Sequence, residues 1–290
     1  MKPTPLEPMF HPLQPFAAEV THVDLPRLHD RAVLDALRDG MDAHGVLVFR
    51  DQPLTDAEQL DFARRFDGVL HTKTGSAAIG KAIPGLEALT EISNVDEQGD
   101  IRRADDRRRM YSLANLLWHT DGSFQDPPGR YSLLSTRAIT EQGPDTEYAD
   151  MRAAYDALDE PMKRRLDGLH VHHSIAYSRQ TLGFEFSTEE LARLEGAVHP
   201  LVRTNPRSGR RSLYLASHAT RIIEMLVPEG RILLRDLIDH ATQRQFVHVH
   251  RWRSGDLVIW DNLATMHRGR AYDDANVRRE LRRVTTLDVA

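Results

Sequence analysis

Cysteine is absent from all 290 residues. Disulfides, thiolate zinc sites and cysteine nucleophiles are therefore excluded, and imidazole and carboxylate are left as the side chains available to a metal. Long apolar runs are missing as well, since no stretch approaches the roughly 20 residues that cross a bilayer. Met1 to Pro15 holds five prolines and no basic segment leading into a hydrophobic one, so no secretory leader is expected. The formal charge is only -5, with Lys and Arg interleaved among Asp and Glu, so no broad basic surface for nucleic acid is expected. Neither a His-Glu-x-x-His helix motif nor a nucleophile elbow occurs, which argues against a zinc hydrolase. Repeats and low-complexity tracts are also absent. The default is a cytoplasmic protein with no membrane or nucleic-acid partner, and a cysteine-free chain fits a reducing interior.

What is present suits a sizeable core: 40% of residues are apolar, and residues 1–290 are expected to form one domain. Val33, Leu34, Leu37 and Met41 recur at helical spacing from Asp30 to Ala43, Gly45 stops the helix, and Val46 to Phe49 reads as a short buried strand. Thr55 and Glu58 form a capping box opening a second helix to about Phe66. Residues 68–110 read as a long irregular loop able to cover a site. Tyr131 to Ile139 and Thr146 to Ala149 read as strands, then Asp150 to Leu166 as one amphipathic helix. Short β-rich runs follow at 170–174, 201–204, 212–216, 246–252, 256–260 and 280–287, with Arg207-Ser208-Gly209 and Ser254-Gly255-Asp256 as turns. Pro228 to His240 is expected to be a helix with Ile232, Leu233, Leu237 and Ile238 inward. Many short strands with a few external helices predict a mostly β chain with flanking helices around a jelly-roll or barrel core.

Fifteen histidines draw attention to metal chemistry. On a strand, His119 and Asp121 of His119-Thr120-Asp121 project to one side and can grip one ion. Such triplets arise by chance about twice in a chain of this composition, and His22-Val23-Asp24 is a second one, read as loop chemistry for want of a third partner. His119-Thr120-Asp121 differs in its company, because Trp118 precedes it and a buried strand ends at Trp260-Asp261-Asn262 ahead of His267. Two imidazoles and one carboxylate leave three positions of an iron atom open, the arrangement of non-heme Fe(II) oxygenases. Near the C-terminus, Arg279, Leu281 and Arg283 share one strand face, while Arg278 and Arg282 face the other way and read as a solvated edge. The inward pair presents planar forks suited to carboxylates. Histidines 170, 172, 173, 248 and 250 alternate along strands, and with no acidic partner at ligand spacing they read as sheet or surface residues. Trp118 and Trp260 read as packing that braces the ligands.

Four motifs occur in order: Leu117-Trp118-His119-Thr120-Asp121, the block Thr146 to Tyr155, Trp260-Asp261-Asn262 with His267, and Arg278 to Arg283. From about Val20 to the C-terminus the chain resembles the taurine and 2,4-dichlorophenoxyacetate dioxygenase family of Fe(II)/2-oxoglutarate enzymes. It is most similar to the aryloxyacetate-cleaving branch, through Tyr131 to Ser135, Asp150 to Leu158, His240 to Gln243 and His267 to Arg270. The resemblance implies a double-stranded β-helix, Fe(II) held by His119, Asp121 and His267, and 2-oxoglutarate held by Arg279 with Thr146. It also implies that Arg283 sits near a substrate carboxylate, that Asn115 approaches the substrate, and that His71 and Lys73 supply a lid contact, with an exposed loop as the alternative for the last two. The implied reaction hydroxylates the carbon between ether oxygen and carboxylate of an aryloxyacetate, giving a phenol and glyoxylate beside succinate and CO2. Segments 67–109 and 175–199 are the expected lids, and a homo-oligomer is expected. Alternatives are a taurine or other alkyl-sulfonate dioxygenase and a metal-binding jelly roll without catalysis. Relative to the branch pattern there is one extra residue within Asp273 to Val277, which exchanges the faces of Arg278 and Arg279 unless the loop absorbs it.

Overall fold

Strands β1 (Met9–Pro12) and β2 (Ala18–Thr21) lead into helix α1 (Arg31–His44). The Asp30 carboxylate caps that helix, accepting from the Ala32 and Val33 amides at 2.8 and 3.3 Å. Gly45 ends it with a φ of 72°, a conformation costly for any residue with a Cβ. Strand β3 (Val46–Phe49) follows at once and is wholly buried, as its unbroken apolar run requires. Helix α2 (Asp56–Asp67) opens on the expected capping box, with reciprocal hydrogen bonds between Thr55 and Glu58. A computed structural model describes residues 7–72, 86–139 and 144–289 of the chain. Lys73 therefore lies outside the described residues.

Within the stretch expected to be a loop, β4 (Leu89–Ser93) and the start of α3 (Arg107–Ser112) are ordered elements. β4 is short and partly exposed, and it exists by pairing with a C-terminal strand, a partner too remote for local pattern to reveal. Strands β5 (Gly129–Ala138) and β6 (Thr146–Asp150) come next. The single helix expected from Asp150 to Leu166 is in fact two, α4 (Met151–Asp156) and α5 (Glu160–Leu166). Asp159 caps the second by accepting from the Met162 amide at 2.8 Å, and Pro161 in its first turn cannot continue the first. Then follow β7 (His170–His173), α6 (Ile175–Gln180), α7 (Thr188–Leu191), β8 (Ala197–Pro200), β9 (Val202–Thr204), β10 (Arg211–Leu213) and β11 (Ala219–Ile222). Helix α8 (Val227–Ala241) turns Leu233, Leu234 and Leu237 inward, but Ile232 is 62% exposed, against expectation. Strands β12 (Val247–His250), β13 (Leu257–Asp261), β14 (Thr265–Gly269) and β15 (Glu280–Leu287) complete the chain.

The strands form a jelly roll. A seven-stranded sheet runs β1-β2-β3-β13-β5-β15-β4, and a smaller one runs β12-β6-β14. Between them lies a core of Val46, Val48, Leu134, Tyr148, Trp252, Val258, Trp260 and Leu281. Helices α1 and α2 cover the outer face of the large sheet through Leu37, Phe62, Phe66, Tyr131, Leu133 and Ile259. Helices α4 and α8 cover the small one through Met151, Ala154, Leu233, Leu237 and Met266. No helix among the described residues is long and apolar enough to cross a membrane. These layers leave the mouth of the roll, where β14 meets the segment at His119, as the place for chemistry.

Asp67 sits at the C-terminal end of α2, where the helix dipole disfavours an anion, and burial raises its carboxyl to about 6 despite the 2.6 Å bond from Thr286 Oγ1. The folded-state value exceeds the unfolded one, so its contribution to stability is complete below about pH 4 and fades as pH rises through 6, a loss of about 2–3 kcal/mol. Asp67→Asn should accordingly be more stable than the parent at pH 8 and nearly equal at pH 4, measured by urea unfolding at both.

Candidate active site

His119 is not on a strand. It makes a single antiparallel bridge to His267, with N–H to O distances of 2.9 and 2.8 Å in the two directions, and Asp121 lies in the turn that follows. The bridge extends the small sheet by one residue and brings the imidazoles together, with ring centroids 4.2 Å apart. Asp121 Oδ1 is 3.9 Å from His119 Nε2, and Oδ2 is 3.7 Å from His267 Nε2. One donor atom from each of the three residues lies within 4.8 Å of the others. The 3.7 and 3.9 Å carboxylate–imidazole gaps are within the span of two metal–ligand bonds of about 2.0–2.2 Å, so the donor set fits one ion. His119 Nδ1–H donates to the Leu117 carbonyl at 2.8 Å, which leaves the Nε2 lone pair facing Asp121.

The protonation states fit as well. Burial lowers His119 to about 4 and pushes His267 well below the usual imidazole range, so both rings are neutral. Burial pushes Asp121 up, but Arg283, the two imidazoles and the hydroxyl of Ser132 outweigh it and hold the carboxyl at about 2. Arg283 Nη1 donates to Asp121 Oδ1 at 2.5 Å and Ser132 Oγ to Oδ2 at 2.8 Å.

A buried network fixes these ligands. Asn262 Oδ1 accepts from the Asp121 amide at 3.1 Å and from Trp260 Nε1 at 3.0 Å, while its Nδ2 donates to Ser132 Oγ at 2.9 Å. Ser132 spends its proton on Asp121, so Thr285 is the donor in their 2.9 Å contact. The Trp260 ring lies 4.6 Å from that of His267, in the bracing role expected of it. Trp118, by contrast, packs on the outer side with α8's cluster and under the guanidinium of Arg268. Beside the turn, a Cβ on Gly129 would fall 2.7 Å from the Asp121 carbonyl oxygen, so glycine there lets β5 press against the ligand's backbone. Asn262→Ala should weaken divalent-metal affinity about 10- to 100-fold. The variant also strands two buried donors at about 1–3 kcal/mol each, to be read by Mn(II) titration calorimetry and urea unfolding.

Arg279 and Arg283 point inward, whereas Arg278 pairs with Glu280 at the surface and Arg282 with Glu91. In the turn Asp273 to Val277, the expected place of an extra residue, Asn276 and Val277 donate back to the Asp273 carbonyl. Burial lowers Arg279 to about 10, its neighbours are the phenols of Tyr272 and Tyr148, and its Nε is sealed without a partner. No ion pair of Arg279 occurs among the described residues. Tyr148 stands opposite His267 in the β6–β14 register, and Thr146 opposite Gly269 on the same face. The Tyr148 hydroxyl has no partner, and Thr146 Oγ1 accepts from Trp252 Nε1 at 2.9 Å, so the threonine proton is available to a ligand.

His71 is buried, not on an exposed loop: its amide donates to the Thr285 carbonyl at 2.8 Å, and its ring lies beside Gly122. Burial, then the Arg283 charge, lowers that imidazole to about 4. Asn115, in the 3-10 turn Leu113–Leu116, accepts from Arg179 Nη2 at 3.3 Å. Tyr148, Ser132 and Asn262 stand inside the motifs named above without being marked there as site residues, and Arg179 stands in none of them. An apolar wall stands outside them too: Tyr111, Ile175, Ala176, Phe184 and Leu194 cluster with Phe124 and Phe186, and Phe124 meets His218 edge-on at 5.5 Å. The two segments expected as lids are joined there by the 2.6 Å ion pair of Arg107 and Glu190. Two of the alternating histidines do have acidic partners, since His170 bonds to Glu224 at 2.9 Å and His250 lies 3.2 Å from Asp256. Glu224 is remote from His170 in sequence and Asp256 lies across a turn from His250, and neither pair belongs to a three-ligand cluster among the described residues.

The taurine catabolism dioxygenase TauD, TfdA family matches residues 9–285. The alpha-ketoglutarate-dependent 2,4-dichlorophenoxyacetate dioxygenase of Cupriavidus pinatubonensis is 43% identical over 97% of this chain and 96% of its own length. The (S)-phenoxypropionate/alpha-ketoglutarate-dioxygenase of Sphingobium herbicidovorans is 35% identical over 89% and 87%. The crystal structure of AAD-2 in complex with Mn(II) and N-oxalylglycine superposes with a TM-score of 0.87 at 42% identity, covering 98% of each chain. Ordered motifs, a jelly roll with a two-histidine, one-carboxylate cluster at its mouth, and similarity along nearly the whole length lead to one assignment: this chain belongs to the TauD/TfdA family of dioxygenases.

Proposed function

We propose that this chain is an Fe(II)- and 2-oxoglutarate-dependent dioxygenase that oxidises an aryloxyacetate such as 2,4-dichlorophenoxyacetate at the carbon between its ether oxygen and carboxylate. The products are a phenol and glyoxylate, with succinate and CO2 from the cosubstrate. The observation that carries this reading is the apolar wall of Tyr111, Phe124, Phe184 and Phe186 beside the cluster of His119, Asp121 and His267, since an aryl ring needs such a slot and a small sulfonate does not. Iron, when bound with 2-oxoglutarate and O2, supplies the oxidising power for the C–H bond. The protein's own groups do the rest. Arg279 takes the distal carboxylate of 2-oxoglutarate in a bidentate pair, with the free proton of Thr146 as a further donor. Arg283, which spends one N–H on Asp121, turns its remaining donors to the substrate carboxylate, and the neutral His71 ring closes the same side. Asn115 belongs to the same substrate-facing set. Paired lids exclude water and hold the C–H bond in reach. Self-association and a cytoplasmic location, where ferrous iron and 2-oxoglutarate are kept, complete the reading, and light scattering tests the first.

Product analysis under air with Fe(II), 2-oxoglutarate and either phenoxyacetate or taurine tests the proposal. Phenol and succinate in equal amounts are expected from phenoxyacetate. Sulfite from taurine with no phenol would replace the reading by alkyl-sulfonate cleavage, and no consumption of 2-oxoglutarate at all would leave a metal-binding jelly roll.

A further inference from the structure

We propose that Arg179, on α6, is a second guanidinium that grips the substrate carboxylate, so that Arg179 and Arg283 read the acid together. This rests on the aryloxyacetate reading above and adds to it a specificity residue from the lid segment. Arg179 is 4% exposed. Its Nη1 donates to Ser178 Oγ at 2.9 Å and its Nη2 to Asn115 Oδ1 at 3.3 Å, its Nε has no partner, and its plane lies over the Tyr111 ring at 4.6 Å. Every one of those partners is neutral, and no ion pair of Arg179 occurs among the described residues. A buried cation without a counter-charge is among the costliest things a fold can hold, so an anion is missing from its surroundings.

The anion's place is set by the neighbours. Ser178 Oγ, which meets Arg179, is also 2.9 Å from His218 Nδ1, and the His218 ring is 5.9 Å from that of His119. Asp121 and Arg283 are among the charges that act on Arg179, and burial lowers its guanidinium. Arg179 thus borders the metal cluster from the lid side, with Tyr111 and Phe184 of the apolar wall at 5.5 Å from each other beside it. Charge balance points the same way. A ferrous ion, Asp121, dianionic 2-oxoglutarate and Arg279 sum to neutrality, which leaves Arg283 and Arg179 facing a monoanionic acid. Arg283 already shares its charge with Asp121, whereas Arg179 has its whole charge to give.

The competing role for Arg179 is structural, as a prop for Asn115 and Tyr111, and the two are separable. The experiment is an anaerobic titration of the visible band of the Fe(II)–2-oxoglutarate complex, in wild type, Arg179→Met and Arg179→Lys, with phenoxyacetate and with uncharged phenoxyethanol. Arg179→Met should raise the Kd for phenoxyacetate about 10- to 100-fold while leaving those for phenoxyethanol and 2-oxoglutarate within about twofold. Its melting temperature should not fall, because a buried unpaired cation has been replaced by an apolar chain of similar length. Arg179→Lys should recover part of the loss. An unchanged Kd for the acid overturns the proposal, as does a parallel loss of acid and alcohol affinity with a lower melting temperature, which marks a prop. A rise in the 2-oxoglutarate Kd equal to that for the acid overturns it too, since Arg179 would then serve the cosubstrate. If the wild-type band responds to neither compound, the aryloxyacetate reading itself fails.

Discussion

Asp121→Ala is expected to abolish metal binding at the site, and with it all turnover, while leaving the fold intact. The loss should exceed the roughly 100-fold that removal of an outer-sphere partner costs, because the only anionic member of the cluster goes. Two effects add. The ion loses a ligand, and Arg283, until then paired with Asp121 at 2.5 Å, becomes an uncompensated positive charge facing an incoming cation. His119→Ala and His267→Ala remove a ligand but not that counter-charge, so they should weaken Mn(II) binding less than Asp121→Ala, an order that calorimetry reads directly. Equal losses in the three variants would deny Arg283 any electrostatic part. A pH corollary follows. Asp121 is depressed to about 2 and His119 to about 4, so neither changes charge between roughly pH 5.5 and 8, and wild-type affinity should be flat over that window. For Asp121 itself the stabilisation is present above the unfolded carboxylate value and is lost only as pH falls through 2.

The ligands could be found from sequence because their chemistry is local: His119-Thr120-Asp121 is contiguous, and Trp260-Asp261-Asn262 announces His267. Their backbone state could not. Strand alternation predicts that His119 and Asp121 face one ion, whereas the structure reaches the same convergence through a lone bridge to β14 and a turn pressed on Gly129. Helices α1 and α2 were legible from caps and periodicity, since Asp30, Gly45, Thr55 and Glu58 act within a turn of the elements they bound. The break between α4 and α5 was equally local, in Asp159 and Pro161, and the apolar period simply ran across it. By contrast, β4 and the burial of His71 depend on partners far along the chain, whereas the exposure of Ile232 follows from the helical phase set by Leu233, Leu234 and Leu237. Arg179 marks the deeper limit. Nothing in Tyr177-Ser178-Arg179-Gln180 distinguishes a surface arginine from a buried one, and its meaning lies in a missing counter-charge, which only the assembled surroundings reveal.

Arg279→Gln is expected to raise the Kd for 2-oxoglutarate about 30- to 5,000-fold with little change in metal affinity, the cost of truncating one side of a buried charge pair being about 2–5 kcal/mol. The protein leaves three groups incomplete: Arg279 Nε, the Tyr148 hydroxyl and the proton of Thr146, whose oxygen is already engaged by Trp252. A carboxylate arriving there completes all of them, and the pair formed is bidentate and shielded from solvent. Thr146→Val removes a single donor and should cost about 1.5–3 kcal/mol, clearly less than Arg279→Gln. Arg279→Lys should fall between wild type and Arg279→Gln, since it keeps the charge but loses the planar fork. Stability offers an independent readout. Ligand binding stabilises a fold by RT ln(1 + [L]/Kd), so 2-oxoglutarate added with Mn(II) under anaerobic conditions should raise the melting temperature of wild type and scarcely move that of Arg279→Gln. Without ligand the variant should melt no lower than wild type, because it relieves the desolvation that holds Arg279 down at about 10. A wild-type-like thermal response to 2-oxoglutarate in Arg279→Gln would place the cosubstrate's distal carboxylate elsewhere, and the other guanidiniums at the metal cluster, Arg179 and Arg283, would then be the groups to test for it.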